Sequence, residues 1–168
     1  ESIPLEVVVR FEVAGSLQKR TGLPYRARCE PPVYELYYKR DDLGDPLLNE
    51  HHVRLLNLAT TDELRTIREL ALSAATKLHS LLLQAQLALL DLKFEMGRSD
   101  SALLLADEIS PDTCRLRDLA SGEVLDKDVF RNDLAELLPA YREVLCRLER
   151  LPALRSLGLS PNSGGKES

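Results

Sequence analysis

The sequence predicts an α+β fold, a mostly antiparallel sheet with helices packed on it, and two patterns carry this prediction. Three segments have the length and the β-branched, aromatic or alternating composition of strands, at residues 3–11, 31–39 and 89–97. Between the second and the third lies a long stripe of leucine and alanine with the 3.6-residue period of a helix. Strands that are separated in this way from helices are typical of the α+β class.

The N-terminal segments predict two strands and the connections between them. Residues 3–11 are rich in valine and predict a strand that is buried on both faces. The β-branched and aromatic segment PPVYELYYK, residues 31–39, predicts a second strand. AGS at 14–16 and TGLP at 21–24 are typical of turns, and residues 40–50 predict a polar loop.

The middle of the chain predicts a long helix. Thr60 and Glu63 form a possible capping box, in which each side chain accepts a hydrogen bond from the backbone of the other residue. The helix should continue to about Ala85 and pack its apolar stripe on the sheet. That stripe consists of Leu64, Ile67, Leu70, Ala71, Ala74, Ala75, Leu78, Leu81 and Leu82.

The C-terminal third predicts irregular chain followed by two helices. Residues 110–123 should form a loop or a short irregular stretch, and Asp126 or Asp128 can cap a helix through Phe130 and Leu134. Pro139 suits the first turn of a last helix. Its apolar residues are Tyr141, Val144, Leu145, Leu148 and Leu151. The sequence therefore predicts one domain at residues 1–155 and a disordered tail at residues 156–168.

The segment LLDLKFEMG, residues 89–97, alternates charged and apolar side chains. Asp91, Lys93 and Glu95 share one face of the predicted strand, because successive strand residues point in opposite directions. With a turn at 97–102 and the partner strand LLLADEIS, it predicts a β-hairpin. The alternation by itself is consistent with a half-exposed hairpin whose charged side chains face solvent. The very apolar flanks and the nearby Asp107 instead favour a cleft in which carboxylates and a lysine bind a magnesium nucleotide.

Composition excludes several other classes of function. The net charge of −5 and a pI near 5.3 disfavour nonspecific binding to nucleic acid. No apolar run is long enough to span a membrane. Cys29, Cys114 and Cys146 are widely spaced and odd in number, which argues against a disulfide framework and favours a reducing cytoplasm. The histidines show no zinc-binding spacing, so we expect them at the surface or in packing.

Several long motifs occur in an order that resembles one known family. IPLEVVVRFEVAGSLQKRTG is similar to the first signature of that family, and LLDLKFEMG is similar to the second. LADEISPDTCRL, LDKDVFR and PPVYELYYKRDDLGDPLLNE also match its pattern. From Ile3 to about Leu151 the chain thus resembles the SAICAR synthetase family, the ATP-dependent ligases of purine biosynthesis. The part that it resembles is their kinase-like or ATP-grasp-like C-terminal lobe.

This resemblance implies a reaction, its cofactors and its setting. ATP, with Mg²⁺, would phosphorylate the carboxylate of an aminoimidazole carboxylate ribonucleotide. The amino group of L-aspartate would then attack the acyl phosphate, giving the succinocarboxamide (SAICAR), ADP and phosphate. The resemblance further implies a cytoplasmic enzyme and a possible homodimer.

The resemblance also implies roles for individual residues. Lys93 and Glu95 would contact the nucleotide, and Asp107 with Glu95 would hold Mg²⁺. Lys93 would offset phosphate charge during catalysis, and Asp91 is a hypothetical base for the aspartate amine. The expected substrate-binding residues are Arg10, Ser16, Lys39, Asp45, Asp112, Arg115 and Lys127. Of these, Arg10, Ser16 and Arg115 would bind the 5′-phosphate, and Asp112 would bind the ribose.

The sequence departs from the family pattern in places. Phe11, Met96 and Arg117 stand where the family commonly has other residues, and Arg117 puts a charge near a packing site. No counterpart of the family's Gly-rich N-terminal lobe, which covers the ATP phosphates, is found in the sequence. Two alternatives to the ligase therefore stay open, a truncated non-catalytic relative that binds a nucleotide or phosphate, and a structural domain with solvated charges.

Overall fold

A computed structural model describes residues 1–100, 102–131 and 137–155, and these contain a six-stranded antiparallel sheet. The strands are β1 (Ser2–Glu12), β2 (Arg28–Tyr38), β3 (Leu47–Leu48), β4 (Leu87–Arg98), β5 (Leu103–Ala106) and β6 (Cys114–Asp118). Their spatial order is β3-β2-β1-β4-β5, and β6 also pairs with β4. The predicted α+β class is thereby confirmed, and β1 and β4 lie at the centre of the sheet.

The described helices follow the first strand, and the longest of them, α3, packs on one face of the sheet. They are α1 (Gly15–Thr21), α2 (Glu50–Leu55), α3 (Thr61–Gln84), α4 (Asp128–Arg131), α5 (Leu137–Glu149) and α6 (Pro152–Arg155). The predicted capping box at the start of α3 is confirmed. The Thr60 hydroxyl accepts from the Glu63 N–H, and the Glu63 carboxylate accepts from the Thr60 N–H. No helix in the described ranges is long and apolar enough to cross a membrane.

The main core lies between α3 and one face of the two central strands. Alternate residues of β1 and β4 point into it together with the α3 stripe, and all of the following are almost fully buried: Ile3, Leu5, Val7, Val9, Leu92, Phe94, Met96, Ile67, Ala71 and Ala75. On the other face, Val8 and Arg10 are only 8% and 2% exposed. The predicted burial of β1 on both faces is therefore confirmed for residues 7–10. A charged side chain is buried there because partners surround it.

Some predictions of local structure are wrong. The supposed loop 110–123 contains β6, whose alternating arginines concealed a strand. Of the predicted turn 14–16, Gly15 and Ser16 begin α1, which ends where the predicted turn 21–24 starts, and the polar loop 40–50 contains β3. These elements are too short to show a period in sequence, and their contacts with neighbouring strands stabilise them.

The C-terminal predictions are confirmed only in part. Asp126 accepts a hydrogen bond from the Asp128 N–H at 2.8 Å, as expected of a cap. Leu145 is 55% exposed, although the predicted stripe included it, and a further helix, α6, follows α5. The predicted extension to Leu134 and the tail 156–168 lie outside the described residues.

Candidate functional site

The face of the sheet opposite α3 carries a row of charged side chains across the two central strands. In the β1–β4 register, Arg10 lies opposite Asp91 and Glu6 lies opposite Glu95. Lys93 lies between these pairs along β4, opposite Val8. Because the side chains of adjacent strands on one face are neighbours, Arg10 pairs directly with Asp91, and Lys93 pairs diagonally with Glu6 between the two facing carboxylates. The predicted shared face of Asp91, Lys93 and Glu95 is thus the charged surface of the sheet.

Arg10 is the centre of the first group of charges. Its Nε donates to Glu35 at 2.8 Å, and its Nη1 donates to Asp91 at 2.6 Å and to the Ala14 carbonyl at 3.4 Å. Its Nη2 donates to the hydroxyls of Ser16, at 2.9 Å, and Tyr37, at 3.2 Å. A guanidinium has five N–H donors, so every donor of Arg10 has a partner. Burial tends to lower the pKa of Arg10, but Asp91 and Glu35 outweigh it and the pKa is raised.

Arg115 completes this group from β6. It lies directly opposite Asp91, and its Nη1 donates to both oxygens of that carboxylate at 3.0 Å. Its Nε donates to Asp128 at 3.0 Å. The guanidinium passes so close to Gly15 that a Cβ there would lie 2.7 Å from the arginine Cζ. Gly15, at φ +54°, therefore provides both the left-handed backbone and the space that Arg115 needs.

Four residues of this group, Asp128 and the three described next, were not predicted as site residues from the sequence. Glu35 and Tyr37 lie on β2, and Arg20 lies in the last turn of α1. Arg20 forms an ion pair with Glu35, and its Nη1 donates to the Tyr37 hydroxyl at 3.2 Å. The alternation of Glu35, Tyr37 and Lys39 along β2 was a signal that could have found two of them. We call Arg10, Arg20, Arg115, Glu35, Asp91 and Asp128 the arginine cluster.

A second group, the lysine cluster, consists of Lys39, Lys93, Glu6 and Glu95. Lys93 Nζ donates to Glu6 at 2.5 Å, and Lys39 Nζ lies 2.6 Å from both oxygens of Glu95. The hydrogen bond to Glu95 raises the pKa of Lys39, and the charges of Glu95, Glu6 and Asp107 add to this effect. Asp107, which is exposed and has a φ of +67°, follows Ala106, the residue that pairs with Glu95 in the β4–β5 register, so it lies at the edge of this cluster.

The two clusters are joined by a small cavity of about 100 Å³. Its lining includes Val8, Arg10, Asp91, Leu92, Lys93, Thr113, Cys114, Arg115 and Lys127. Four of these side chains are cations and one is a carboxylate, so the cavity favours an anion. Burial, above all, raises the pKa of the Cys114 thiol to about 12, which keeps this cysteine in its neutral form.

Asp112 and Lys127 approach the cavity from the loops around β6. Lys127 Nζ donates to the Asp112 carbonyl, and the Tyr141 hydroxyl donates to Asp112 Oδ1 at 2.7 Å. Burial and, next, this hydrogen bond raise the pKa of Tyr141. Asp45 lies apart, in the loop after β2, where it accepts from the Arg40 N–H at 2.9 Å. Within the described ranges, no hydrogen bond or ion pair joins Asp45 to either cluster.

The structure accounts for the unusual residues of the sequence. Arg117 is 5% exposed and pairs with the fully buried Asp126 at 2.5 Å, and its Nε also donates to Tyr25 at 2.9 Å. The charge near the packing site is thus neutralised locally. Phe11 stacks on His79 with ring centroids 4.2 Å apart, which confirms a packing role for that histidine. Burial lowers the pKa of His79.

The carboxylates near the lysine cluster are candidate ligands of a divalent cation. Over residues 1–100, 102–131 and 137–155, no group of three or more metal-binding side chains is present. Mg²⁺ is commonly bound through one or two carboxylates and the phosphates of a substrate. Glu95 and Asp107 fit this donor set, provided that Glu95 releases Lys39 when the ion binds.

Comparisons with known proteins agree with this geometry. The model of the SAICAR synthetase family matches residues 1–148. A phosphoribosylaminoimidazole-succinocarboxamide synthase of Anoxybacillus flavithermus is 54% identical over 147 residues, covering 87% of this chain and 61% of the relative. The chain spans about three-fifths of the length of the curated relatives it matches.

Solved structures give the same result. The SAICAR synthetase of Pyrococcus horikoshii superposes with a TM-score of 0.86 at 42% identity, covering 96% of this chain and 68% of that one. A SAICAR synthetase in complex with ADP also gives a TM-score of 0.86 at 42% identity, covering 96% and 66% of the two chains. The match to the family model, the identity to these relatives and the superposition on solved structures show that the chain belongs to the SAICAR synthetase family.

Proposed function

We propose that this chain is part of an ATP-dependent ligase that joins L-aspartate to the carboxylate of an aminoimidazole carboxylate ribonucleotide. The observation that carries the proposal is the pairing of two clusters on one sheet face. The arginine cluster suits a phosphate monoester, and the lysine cluster suits a nucleotide polyphosphate. Asp91 and Glu95 lie four residues apart on β4, or about 13 Å along a strand. This spacing leaves room for the reacting groups between the two clusters.

The nucleotide belongs at the lysine cluster in this proposal. A relative of the same fold, 42% identical, is described in complex with ADP, which supports a nucleotide site in this chain. Lys93 and Lys39 would exchange their partners Glu6 and Glu95 for phosphate oxygens. Glu95 and Asp107 would then hold Mg²⁺, which neutralises phosphate charge when bound.

The ribonucleotide belongs at the arginine cluster. Arg10, Ser16 and Arg115 would bind the 5′-phosphate, and Asp112, oriented by Tyr141, would accept from the ribose. Lys127 would lie at the mouth of the cavity, toward the imidazole carboxylate. Asp45 is the least supported of the proposed substrate-binding residues, because its described hydrogen bond is made within its own loop.

The reaction then requires positioning and electrostatics more than covalent catalysis by the protein. An oxygen of the ribonucleotide carboxylate attacks the γ-phosphorus, and the bond to ADP breaks. The aspartate amine next attacks the acyl carbon, phosphate leaves with the electron pair of the C–O bond, and the amine loses a proton. Lys93 would offset the charge that develops on the phosphates.

Asp91 is the proposed acceptor of that proton, but its contacts favour a positioning role first. Both of its oxygens already accept hydrogen bonds from Arg115, and one also accepts from Arg10. A carboxylate held in this way orients the two guanidinium groups that would bind the substrate. Acting as a base would require it to release one of them.

The proposal is tested by separating the two clusters in binding measurements. In calorimetric titrations, Arg115→Ala should weaken binding of the ribonucleotide at least tenfold and change that of ADP less than threefold. Lys93→Met should do the reverse. Arg28→Ala, in an exposed pair with Glu30 at 3.7 Å, removes a charge elsewhere and should change neither.

Equal losses for both ligands in each variant would refute the assignment of the clusters. A coupled assay of ADP release, with and without L-aspartate, tests ligation by the whole enzyme. Binding of both ligands without aspartate-dependent turnover would favour the non-catalytic relative. A homodimer and a cytoplasmic location stay predictions of the family resemblance.

A further inference from the structure

We propose that Arg20 is a third phosphate-binding arginine of the arginine cluster and that Glu35 positions it beside Arg10. The proposal deepens the proposed function, on which it rests for the identity of the phosphate as the 5′-phosphate of a ribonucleotide. Arg20 lies in the last turn of α1, four residues after Ser16, so both side chains are on the same side of the helix.

The side chains of Arg10, Arg20 and Ser16 converge on the Tyr37 hydroxyl. The Tyr37 hydroxyl lies 3.2 Å from Arg10 Nη2 and 3.2 Å from Arg20 Nη1. It also lies 3.3 Å from the Ser16 hydroxyl. Two guanidinium groups and two hydroxyls thus surround one small region at the surface of the cluster. These are the donors that a tetrahedral phosphate can use together.

The N–H donors of Arg10 differ in how readily they can exchange their present acceptors for a ligand. Three of its acceptors are buried, namely Glu35, Asp91 and the Ala14 carbonyl. Its other two acceptors, the hydroxyls of Ser16 and Tyr37, are neutral. An incoming phosphate can replace those hydroxyls as the acceptor of Arg10, and the Ser16 hydroxyl can then donate to it. The Tyr37 hydroxyl, which donates to Glu35 Oε2 at 2.9 Å, can do so once it releases Glu35. Arg20 Nη1 also donates to the Tyr37 hydroxyl, so it becomes available at the same place.

Within the arginine cluster, the arginines Arg20 and Arg115 are more exposed than the carboxylates Glu35 and Asp91. The side chains of Glu35 and Asp91 are 8% and 5% exposed, whereas those of Arg20 and Arg115 are 35% and 20% exposed. A ligand that approaches from solvent therefore meets the cations, and the carboxylates lie beneath them. This arrangement lets buried acids orient arginines without repelling an anion strongly.

Arg20 balances the charge of the arginine cluster, which otherwise has more carboxylates than arginines. Without Arg20, its two remaining arginines face three carboxylates, Glu35, Asp91 and Asp128, although Arg117 also lies 3.8 Å from Asp128. This excess of negative charge would oppose a phosphate dianion. Arg20 restores the balance at the exposed side. Glu35 connects Arg10 with Arg20, because its Oε2 accepts from Arg10 Nε and its Oε1 accepts from Arg20.

A purely structural role for Arg20 is the competing explanation. A cation in the last turn of a helix stabilises the helix dipole. Lys19 lies in the same turn, carries the same charge and is exposed, so it serves that purpose equally. Lys19→Gln is therefore a matched control for Arg20→Gln in charge, helix position and substitution.

The experiment measures dissociation constants by calorimetry for the aminoimidazole carboxylate ribonucleotide, for ADP and for inorganic phosphate. Arg20→Gln should weaken ribonucleotide binding about tenfold, the effect of losing one charge-assisted hydrogen bond. It should weaken phosphate binding too, and leave ADP binding within about twofold. Arg20→Lys keeps the charge but loses the planar fork, so an intermediate loss is expected. Lys19→Gln should leave all three constants within about twofold.

Equal small effects of Arg20→Gln and Lys19→Gln on ribonucleotide binding would overturn the proposal. An equal loss of ADP binding in Arg20→Gln would overturn it as well, because Arg20 would not be specific to one cluster. If the ribonucleotide binds but no ligation occurs, the proposed function fails while the role of Arg20 stands. The positioning role of Glu35 predicts that Glu35→Gln weakens ribonucleotide binding and that Glu35→Asp restores part of it.

Discussion

Replacing Asp91 by asparagine tests whether the arginine cluster depends on one buried carboxylate. The side chains of Asp91 and Arg10 are only 5% and 3% exposed, and their ion pair measures 2.6 Å. Arg115 lies 3.0 Å from the same carboxylate, with 20% of its side chain exposed. The substitution removes the charge that two guanidinium groups share, but it keeps the size of the side chain and one acceptor oxygen.

The expected loss follows from the burial of these partners. Removing one member of a buried ion pair costs about 3–5 kcal/mol, because the remaining charge is left without a partner in a region of low dielectric constant. Asparagine retains one acceptor, and Arg10 and Arg115 keep their ion pairs with Glu35 and Asp128, so we expect the lower end of this range, about 3 kcal/mol. For a domain of this size, that corresponds to a fall in melting temperature of about 6–12 °C.

Urea unfolding followed by circular dichroism measures this loss as a shift of the midpoint at constant slope. Asp62→Asn is the control, since Asp62 and Arg65 form an exposed pair with side chains 87% and 70% exposed. It should change the free energy of unfolding by less than about 0.5 kcal/mol. A loss below about 1 kcal/mol for Asp91→Asn would refute our account of the cluster. Full turnover by this variant at saturating substrates would refute the role of Asp91 as a base.

Two further predictions concern ion pairs outside the arginine cluster. The hydrogen bond from Arg98 and, next, that from the Thr60 backbone lower the pKa of Glu63 from 4.5 to about 2. Because the pKa of the folded state lies below that of the unfolded state, this stabilisation is complete above about pH 5 and is lost as the pH falls toward 2. Glu63→Gln should therefore lower the free energy of unfolding at pH 7 by about 1–2 kcal/mol, a value reduced for solvent screening, and urea unfolding at pH 3 should show a smaller difference. Arg117→Met should cost about 3 kcal/mol in urea unfolding, because it leaves the charge of Asp126 buried without its cation. Adding Asp126→Asn should recover part of that loss, and a double variant less stable than Arg117→Met would contradict this reasoning.

Local patterns in the sequence were sufficient for the main strands, the long helix and the face of the charged hairpin. Strands β1, β2 and β4 have enough β-branched, aromatic or alternating residues to be recognised separately. The capping box and the 3.6-residue stripe identified α3 within one residue of its observed end. The alternation of Asp91, Lys93 and Glu95 identified their common face, because strand geometry alone determines it.

The family motifs also indicated most residues of the candidate site, although the alternation along each strand did not identify the partner of each side chain. Lys93 was expected to contact a nucleotide, and in this structure its Nζ donates to Glu6. Glu6 is in the first signature motif, 87 residues earlier, so no local pattern connects the two. The same holds for Lys39 and Glu95, which are 56 residues apart.

Tertiary structure alone decided how the charges are shared. Strand β6 escaped detection because its arginines look solvent-exposed in sequence, yet Arg115 and Arg117 find carboxylates on β4 and in the loop before α4. Glu35 and Arg20 joined the site only because the β1–β2 register places Glu35 beside Arg10. A strand's own period determines the face on which a side chain lies. Its neighbours on that face depend on strand pairing between distant segments, which the burial of matched charges and apolar residues selects.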